Sequence, residues 1–262
     1  MSLLDERPSD TMLRFRYAMR SVGIDNYEEI TRLANASVAY LSGSKEKRRE
    51  LDRLRDLEHY WYATLDVGAP DYGVYSSPLY LAEAWACYVI YSRKYLRSIR
   101  ASRILDDLGD IQSIVDLGCG IGFTTAALSE SFPAARIVGT NVEDSPQTRV
   151  ARFLSEFYNY TVSEAYGGPV DVLFASEYFE HFPSPIGRLH HELAIAKPRL
   201  LVVANTFTTP SIGHFRTYLH EGKEISGRAT ARAFATALRN AGYEKLETGF
   251  WNNRPAVWKR SA

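Results

Sequence analysis

The chain carries no surplus of either charge: 31 Lys and Arg balance 31 Asp and Glu over 262 residues. A formal net charge of zero gives no global pull toward nucleic acid or an anionic membrane, so nucleic acid is an unexpected partner. Cysteine is scarce. Cys87 and Cys119 cannot build a disulfide framework, and a reducing cytoplasm is the expected setting. The opening segment MSLLDERPSD is charged and has no apolar signal core. The most apolar run, residues 79–91, is too short to span a bilayer and contains Glu83, so no membrane association is expected. Repeats, low-complexity tracts and spaced His/Cys/Asp sets that would hold a metal are also missing, and no metal is expected.

Aromatic residues are plentiful: 17 Tyr, 12 Phe and 4 Trp make 13% of the chain, and many precede residue 111. Residues 1–10 read as a disordered leader. Residues 11–39 read as helix broken near Gly23-Ile24-Asp25-Asn26, and residues 45–65 as a charged helix with Leu51, Leu54, Trp61 and Leu65 at helical spacing. A loop rich in Gly, Pro, Ser and Tyr, residues 66–78, precedes Ser77-Pro78, a cap-like start to a long helix over residues 79–103. Arg93, Arg97 and Arg100 share a face of that helix, and a solvated helix end is the expected reading. Asp106-Asp107-Leu108-Gly109 then closes an N-terminal part.

Residues 111–125, IQSIVDLGCGIGFTT, organise the remainder. Apolar β-formers lead to Asp116, three glycines follow at alternate positions (Gly118, Gly120, Gly122), and a helix-compatible run begins at Thr124. Such a strand, turn and helix exposes backbone amides to a ligand with no Cβ in the way. The spacing is D-x-G-x-G-x-G rather than G-x-G-x-x-G, and the strand-end carboxylate would repel a pyrophosphate but attract a cation. Strand-like and helix-like segments alternate from there to the end. The expected strands are 136–142, 160–165, 170–176 and a fifth beginning at residue 199, with a closing antiparallel pair at 243–249 and 254–259.

VDLGCGIG resembles the first motif of the class I S-adenosylmethionine-dependent methyltransferases. Residues 171–183, DVLFASEYFEHFP, resemble the fourth motif of the same family at the right distance downstream. The resemblance covers residues 101–262. It implies an α/β fold, a doubly wound seven-stranded Rossmann-like methyltransferase sheet with a helical N-terminal cap. The expected division is 1–103 for the aromatic-rich cap and 104–262 for the methyltransferase domain. It further implies S-adenosyl-L-methionine as cofactor. Asp116 would orient its amino group, and Leu117, Gly118, Cys119 and Gly120 would cradle its methionine part and ribose. The family usually has an acid at the second strand end for the ribose hydroxyls. This chain has Asn141 there, followed by Val142, with Glu143 two residues on; an amide makes a weaker, uncharged contact. Glu164 matches the acid that takes the adenine amino group, and Ser176 would line the methionine side.

Methyl transfer needs an acceptor held in line and, for some acceptors, a base. His181 and Glu177 are the candidate catalytic residues, His181 the better by its natural pKa. His190 and His191 are expected to be structural. Acceptor specificity is expected from the aromatic N-terminal part and from residues 206–226. The fourth strand end reads SEYF rather than the N/D-P-P-Y/F block of DNA amino-methyltransferases. The expectation is a cytoplasmic methyltransferase acting at O or N of a small-molecule methyl acceptor. Two rivals are a catalytically inactive cofactor-binding or partner subunit of the same fold and a methyltransferase acting on protein or RNA. The oligomeric state is not legible.

Overall fold

The computed structural model describes residues 2–102, 104, 110–250 and 254–261. The expected boundary at 103/104 and the turn at Asp106-Asp107-Leu108-Gly109 adjoin or fall within residues 103 and 105–109, outside the described residues.

Parallel strands β1 (Ser113–Leu117), β2 (Arg136–Thr140), β3 (Thr161–Ser163), β4 (Val172–Ser176) and β5 (Leu200–Ala204) alternate with helices α6 (Phe123–Ser131), α7 (Pro146–Ser155) and α8 (Pro185–Ala196). A hairpin, β6 (Thr217–His220) and β7 (Lys223–Ser226), interrupts the pattern before α9 (Gly227–Asn240). The reversed pair β8 (Tyr243–Lys245) and β9 (Ala256–Arg260) completes a seven-stranded sheet in the order β3-β2-β1-β4-β5-β9-β8. β4 and β5 are buried along almost their whole length, as strands covered on both faces must be. Asp171 ties the starts of β1 and β4 together: its Oδ2 accepts from the Gln112 and Ser113 amides at 2.8 and 3.0 Å. Local chemistry sets the helix starts. Ser145 and Ser226 accept from the Thr148 and Ala229 amides and cap α7 and α9. Gly122 leads into α6 at φ +82 with no side-chain cap, which leaves that N-terminus open.

The N-terminal part is helical: α1 (Pro8–Ser21), α2 (Tyr27–Leu41), α3 (Asp52–Asp66), α4 (Tyr80–Cys87) and α5 (Arg93–Ser102). The charged segment from Lys45 begins as a 3-10 turn, Lys45–Leu51, before α3. The long helix expected over residues 79–103 is split by a π-turn, Tyr88–Ser92. Phe15 stacks on Trp85 at 4.9 Å, and both rings meet Phe123 of α6 edge-on, so one apolar core joins the N-terminal helices to the sheet's covering layer.

Two expectations fail here. The leader is packed: Leu3 and Leu4 are fully buried, and the Leu3 amide donates to Glu130 at 2.7 Å. The arginine face is not a solvated helix end. Arg93 is buried, Arg93 and Arg97 both donate to the Leu4 carbonyl, and Arg100 pairs with Asp5. The physical reason is mutual. The leucines gain burial against α5, and the guanidinium groups satisfy the backbone oxygen that this burial would otherwise orphan.

Candidate active site

Strand order reverses between β1 and β4, and in an open parallel sheet that point opens a crevice beyond the carboxyl ends of the strands. The glycine turn enters it from β1. The end of β2 laces the turn in place: the Gly118 amide donates to Thr140 Oγ1 at 3.2 Å, the Cys119 amide to the Thr140 carbonyl at 2.8 Å, and Asn141 Nδ2 to the Gly120 carbonyl at 2.7 Å. Gly118 has φ +65, and a Cβ there would lie 2.7 Å from Tyr178 Cδ2, so only glycine fits. Asp116 is 2% exposed. Burial raises its pKa to about 7, against a Thr125 hydroxyl that donates to Oδ2 at 2.6 Å and stabilises the charge.

Two connected chambers flank this turn. An outer one of about 630 Å³ is bounded by the ends of β1, β2 and β4 and by the segment after β3, with Leu117, Thr140, Asn141, Val142, Glu143 and Glu164 in its wall. An inner one of about 270 Å³ lies under the N-terminal helices, lined by Glu83, Tyr88, Tyr91, Asp116, Cys119, Ser176, His214 and Arg254 among others. Tyr80, Gly118, Gly120, Gln147, Glu177 and His181 face both. The candidate catalytic and cofactor-binding residues read from the sequence therefore line one crevice, although they come from four strand ends.

Details within that set differ from expectation. Asn141 spends its NH₂ on the Gly120 carbonyl and its Oδ1 on the Val142 amide at 2.9 Å, so its first task is to hold the turn. Glu164 is exposed and hydrogen-bonded to Glu143, whose pKa rises because of that contact. Ser176 Oγ lies 3.2 Å from Ser92 Oγ, which ties the end of β4 to the π-turn. Glu177 has φ +52 and donates its amide to the Ala204 carbonyl at 2.8 Å. A left-handed backbone at a non-glycine residue is strained and is found chiefly where function holds it. Its pKa is driven well up by burial and then by the neighbouring Glu180 carboxylate.

His181 Nδ1 lies 2.8 Å from the Tyr75 hydroxyl, and its pKa is well below the usual range because of burial and then the His214 ring. A Cβ on Gly213 would overlap the Tyr75 oxygen, so glycine there is what allows the contact. His190 and His191 are both exposed, His191 at the rim of the outer chamber. Sequence reasoning missed Thr140, Gln147, Glu83 and Arg254. Gln147 follows the Ser145-Pro146 helix start, a signal that was present; Glu83 and Arg254 reach the crevice only through tertiary packing.

A family model described as "Methyltransferase domain" matches residues 88–248, more than half of the chain. The chain belongs to this methyltransferase-domain family. Among curated proteins, a trans-aconitate 2-methyltransferase of Azoarcus sp. (strain BH72) is 31% identical over 100 residues, 37% of this chain and 39% of that protein. The trans-aconitate 2-methyltransferase of Enterobacter sp. (strain 638) is 33% identical over 99 residues, 34% of this chain and 37% of its own length. The chain thus spans well under half the length of the curated relatives it matches. Among solved structures, magnesium protoporphyrin IX methyltransferase from Synechocystis PCC 6803 with bound SAH aligns at a TM-score of 0.45 and 19% identity, over 64% of this chain and 82% of that one. No helix among the described residues is long and apolar enough to cross a membrane.

Proposed function

We propose that this chain is an S-adenosylmethionine-dependent methyltransferase acting at oxygen or nitrogen of a small molecule, with residues 1–103 shaping the acceptor chamber. The observation that carries the reading is the pair of chambers meeting at Gly118, Gly120, Glu177 and His181. A donor and an acceptor can each occupy one and touch at the junction.

The donor set suits the cofactor. The uncapped start of α6 and the glycine turn offer bare amides, Asp116 offers a carboxylate for an ammonium group, and the outer chamber has room for a nucleoside. Gly118, Cys119 and Gly120 would hold the methionine part and ribose, with Leu117 and Ser176 beside them. Asn141, Val142 and Glu164 would line the ribose and adenine end. Bound there, S-adenosylmethionine supplies an electrophilic methyl group on a sulfonium.

The chain's own work is positioning, exclusion of water and one proton. Tyr80, Tyr88 and Tyr91 wall the inner chamber and offer ring surfaces to an acceptor. Burial keeps His181 in the neutral, base-competent form and pushes Glu177 toward its protonated form, so His181 is the base and Glu177 a positioning group. The Tyr75 hydroxyl holds the ring at Nδ1; in the tautomer in which Nδ1–H donates to that oxygen, Nε2 carries the lone pair that takes the acceptor's proton.

The test is calorimetric titration with S-adenosylhomocysteine of the wild-type chain and a Gly120→Arg variant, followed by an acceptor panel. Micromolar binding that the variant abolishes supports the reading, and methyl transfer to a small acceptor completes it. Absence of binding by the wild-type chain refutes it. Binding without turnover over a broad panel favours an inactive partner subunit, a reading that the engagement of Asn141 with the glycine turn supports.

A further inference from the structure

Beside the inner chamber, Glu177, Glu180 and His214 bring two carboxylate oxygens and an imidazole nitrogen within 4.8 Å of one another. The proposed methyl transfer leaves this cluster without a full account. Glu180 is 0% exposed; one oxygen accepts from the Thr206 amide at 2.7 Å, and the other, Oε2, has no hydrogen-bond partner. A buried carboxylate oxygen with nothing to bind costs stability, and a second carboxylate beside it adds repulsion.

His214 is oriented in a telling way. Its Nδ1 lies 2.8 Å from the Thr209 carbonyl, which can only accept, so the proton sits on Nδ1 and the lone pair on Nε2. An imidazole fixed through a backbone carbonyl in this manner is the usual arrangement of a metal-binding histidine. The His214 main chain is itself anchored, its carbonyl accepting from Trp61 Nε1 at 2.7 Å. Glu177 is held in its left-handed conformation at the end of β4.

We propose that Glu177, Glu180 and His214 form a binding site for a divalent cation. The three come from the end of β4, the turn after it and the segment after β5, which is why their spacing in the sequence gives no metal signature. With Glu177 giving up its proton as the ion binds, two carboxylates and one imidazole neutralise a divalent charge and suit an ion of Mn²⁺, Mg²⁺ or Zn²⁺ character. The separation fits as well, since bonds of about 2.1–2.4 Å place opposed ligand atoms roughly 4.2–4.8 Å apart. Glu177 and His214 both border the inner chamber, so the remaining coordination positions would face an acceptor there and polarise a hydroxyl or carboxylate oxygen. The ion site stands on these side chains; only its role toward an acceptor rests on the proposed methyl transfer.

The experiment is titration of the metal-stripped chain with Mn²⁺, followed by loss of the free-ion EPR signal and by calorimetry. One ion per chain is expected, with Glu180→Gln and His214→Gln each weakening binding at least tenfold. Thermal unfolding of the metal-free variants serves as the folding control. Glu180→Gln is expected to melt at or above the wild-type temperature, because the amide keeps an acceptor for the Thr206 amide and can donate to Glu177. No Mn²⁺ bound by the wild-type chain overturns the site in favour of a carboxyl–carboxylate pair sharing a proton, and so does equal affinity in both variants. Titration with S-adenosylhomocysteine on the same preparation separates the two hypotheses: a chain that binds Mn²⁺ but not S-adenosylhomocysteine refutes the proposed function and leaves the ion site standing.

Discussion

Replacing Asp116 by Asn should stabilise the ligand-free protein while crippling its pocket, and the size of the effect follows from burial. In the unfolded chain this carboxyl ionises near 3.8, whereas in the folded protein burial raises it to about 7. Each unit is worth about 1.4 kcal/mol, so holding the charge in place costs the fold roughly 4 kcal/mol once both states are ionised. Between these two values only the unfolded chain carries the charge. The wild-type protein therefore loses stability as pH rises from about 4 to about 7 and levels off above that. The asparagine variant cannot ionise and escapes the loss. It retains an acceptor for the Thr125 hydroxyl but buries an NH₂, which subtracts about 1 kcal/mol at every pH.

The advantage of the variant should thus be about 3–4 kcal/mol larger near pH 8 than near pH 4, read from urea unfolding at both. The same carboxylate is the one offered to the ammonium group of the cofactor, so affinity for S-adenosylhomocysteine should fall tenfold or more in the variant. In the wild-type protein it should weaken as pH drops below about 7. A variant whose stability gain is the same at both pH values would refute the buried-charge argument. An unchanged dissociation constant would refute the role of Asp116 in the pocket.

Tyr75→Phe removes the oxygen that holds His181 Nδ1, and ring ¹⁵N shifts of His181 should move toward a mixture of tautomers, with kcat lowered about tenfold and KM little changed once an acceptor is known. Gly213→Ala forces a Cβ into the space of the Tyr75 hydroxyl at a left-handed φ of +84; it should destabilise by about 1–3 kcal/mol in urea unfolding and disturb the same histidine shifts. Leu4→Ala empties a fully buried site under α5 and should cost about 2–4 kcal/mol, whereas a disordered leader would show no change. Trp61→Phe strips the donor from the His214 carbonyl and should cost about 1–3 kcal/mol, measured the same way.

Much of the crevice was legible because its parts are backbone devices with local signatures. A glycine turn after an apolar strand needs positive φ at Gly118 and Gly120, and at Gly118 a Cβ would also run into Tyr178. Alternating strand and helix patterns gave the parallel sheet; the short closing strand β8 fell within its expected segment, and β9 overlaps its own and ends one residue beyond it. Where the reading failed, side chains answered to partners far along the chain. Arg93 and Arg97 read as a solvated helix end because spacing shows which residues share a face and not what packs on that face. Their partner, the Leu4 carbonyl, lies 89 residues from Arg93. The leader read as disordered for the same reason: its two leucines have no local pattern, and the groups that hold them, Glu130 on the Leu3 amide and Arg93 and Arg97 on the Leu4 carbonyl, lie far along the chain.

By itself the sequence determined the sheet, the glycine turn and the acid beside it, because hydrophobic period, glycine conformation and strand-end chemistry act over a few residues. Tertiary structure alone decided how the site is charged and shaped. It turned Asn141 onto the glycine turn, pressed Tyr75 against His181, and set Glu177, Glu180 and His214 together from three segments. Burial is a property of the whole packing, and burial is what moves Asp116, Glu177 and His181 away from their ordinary protonation states.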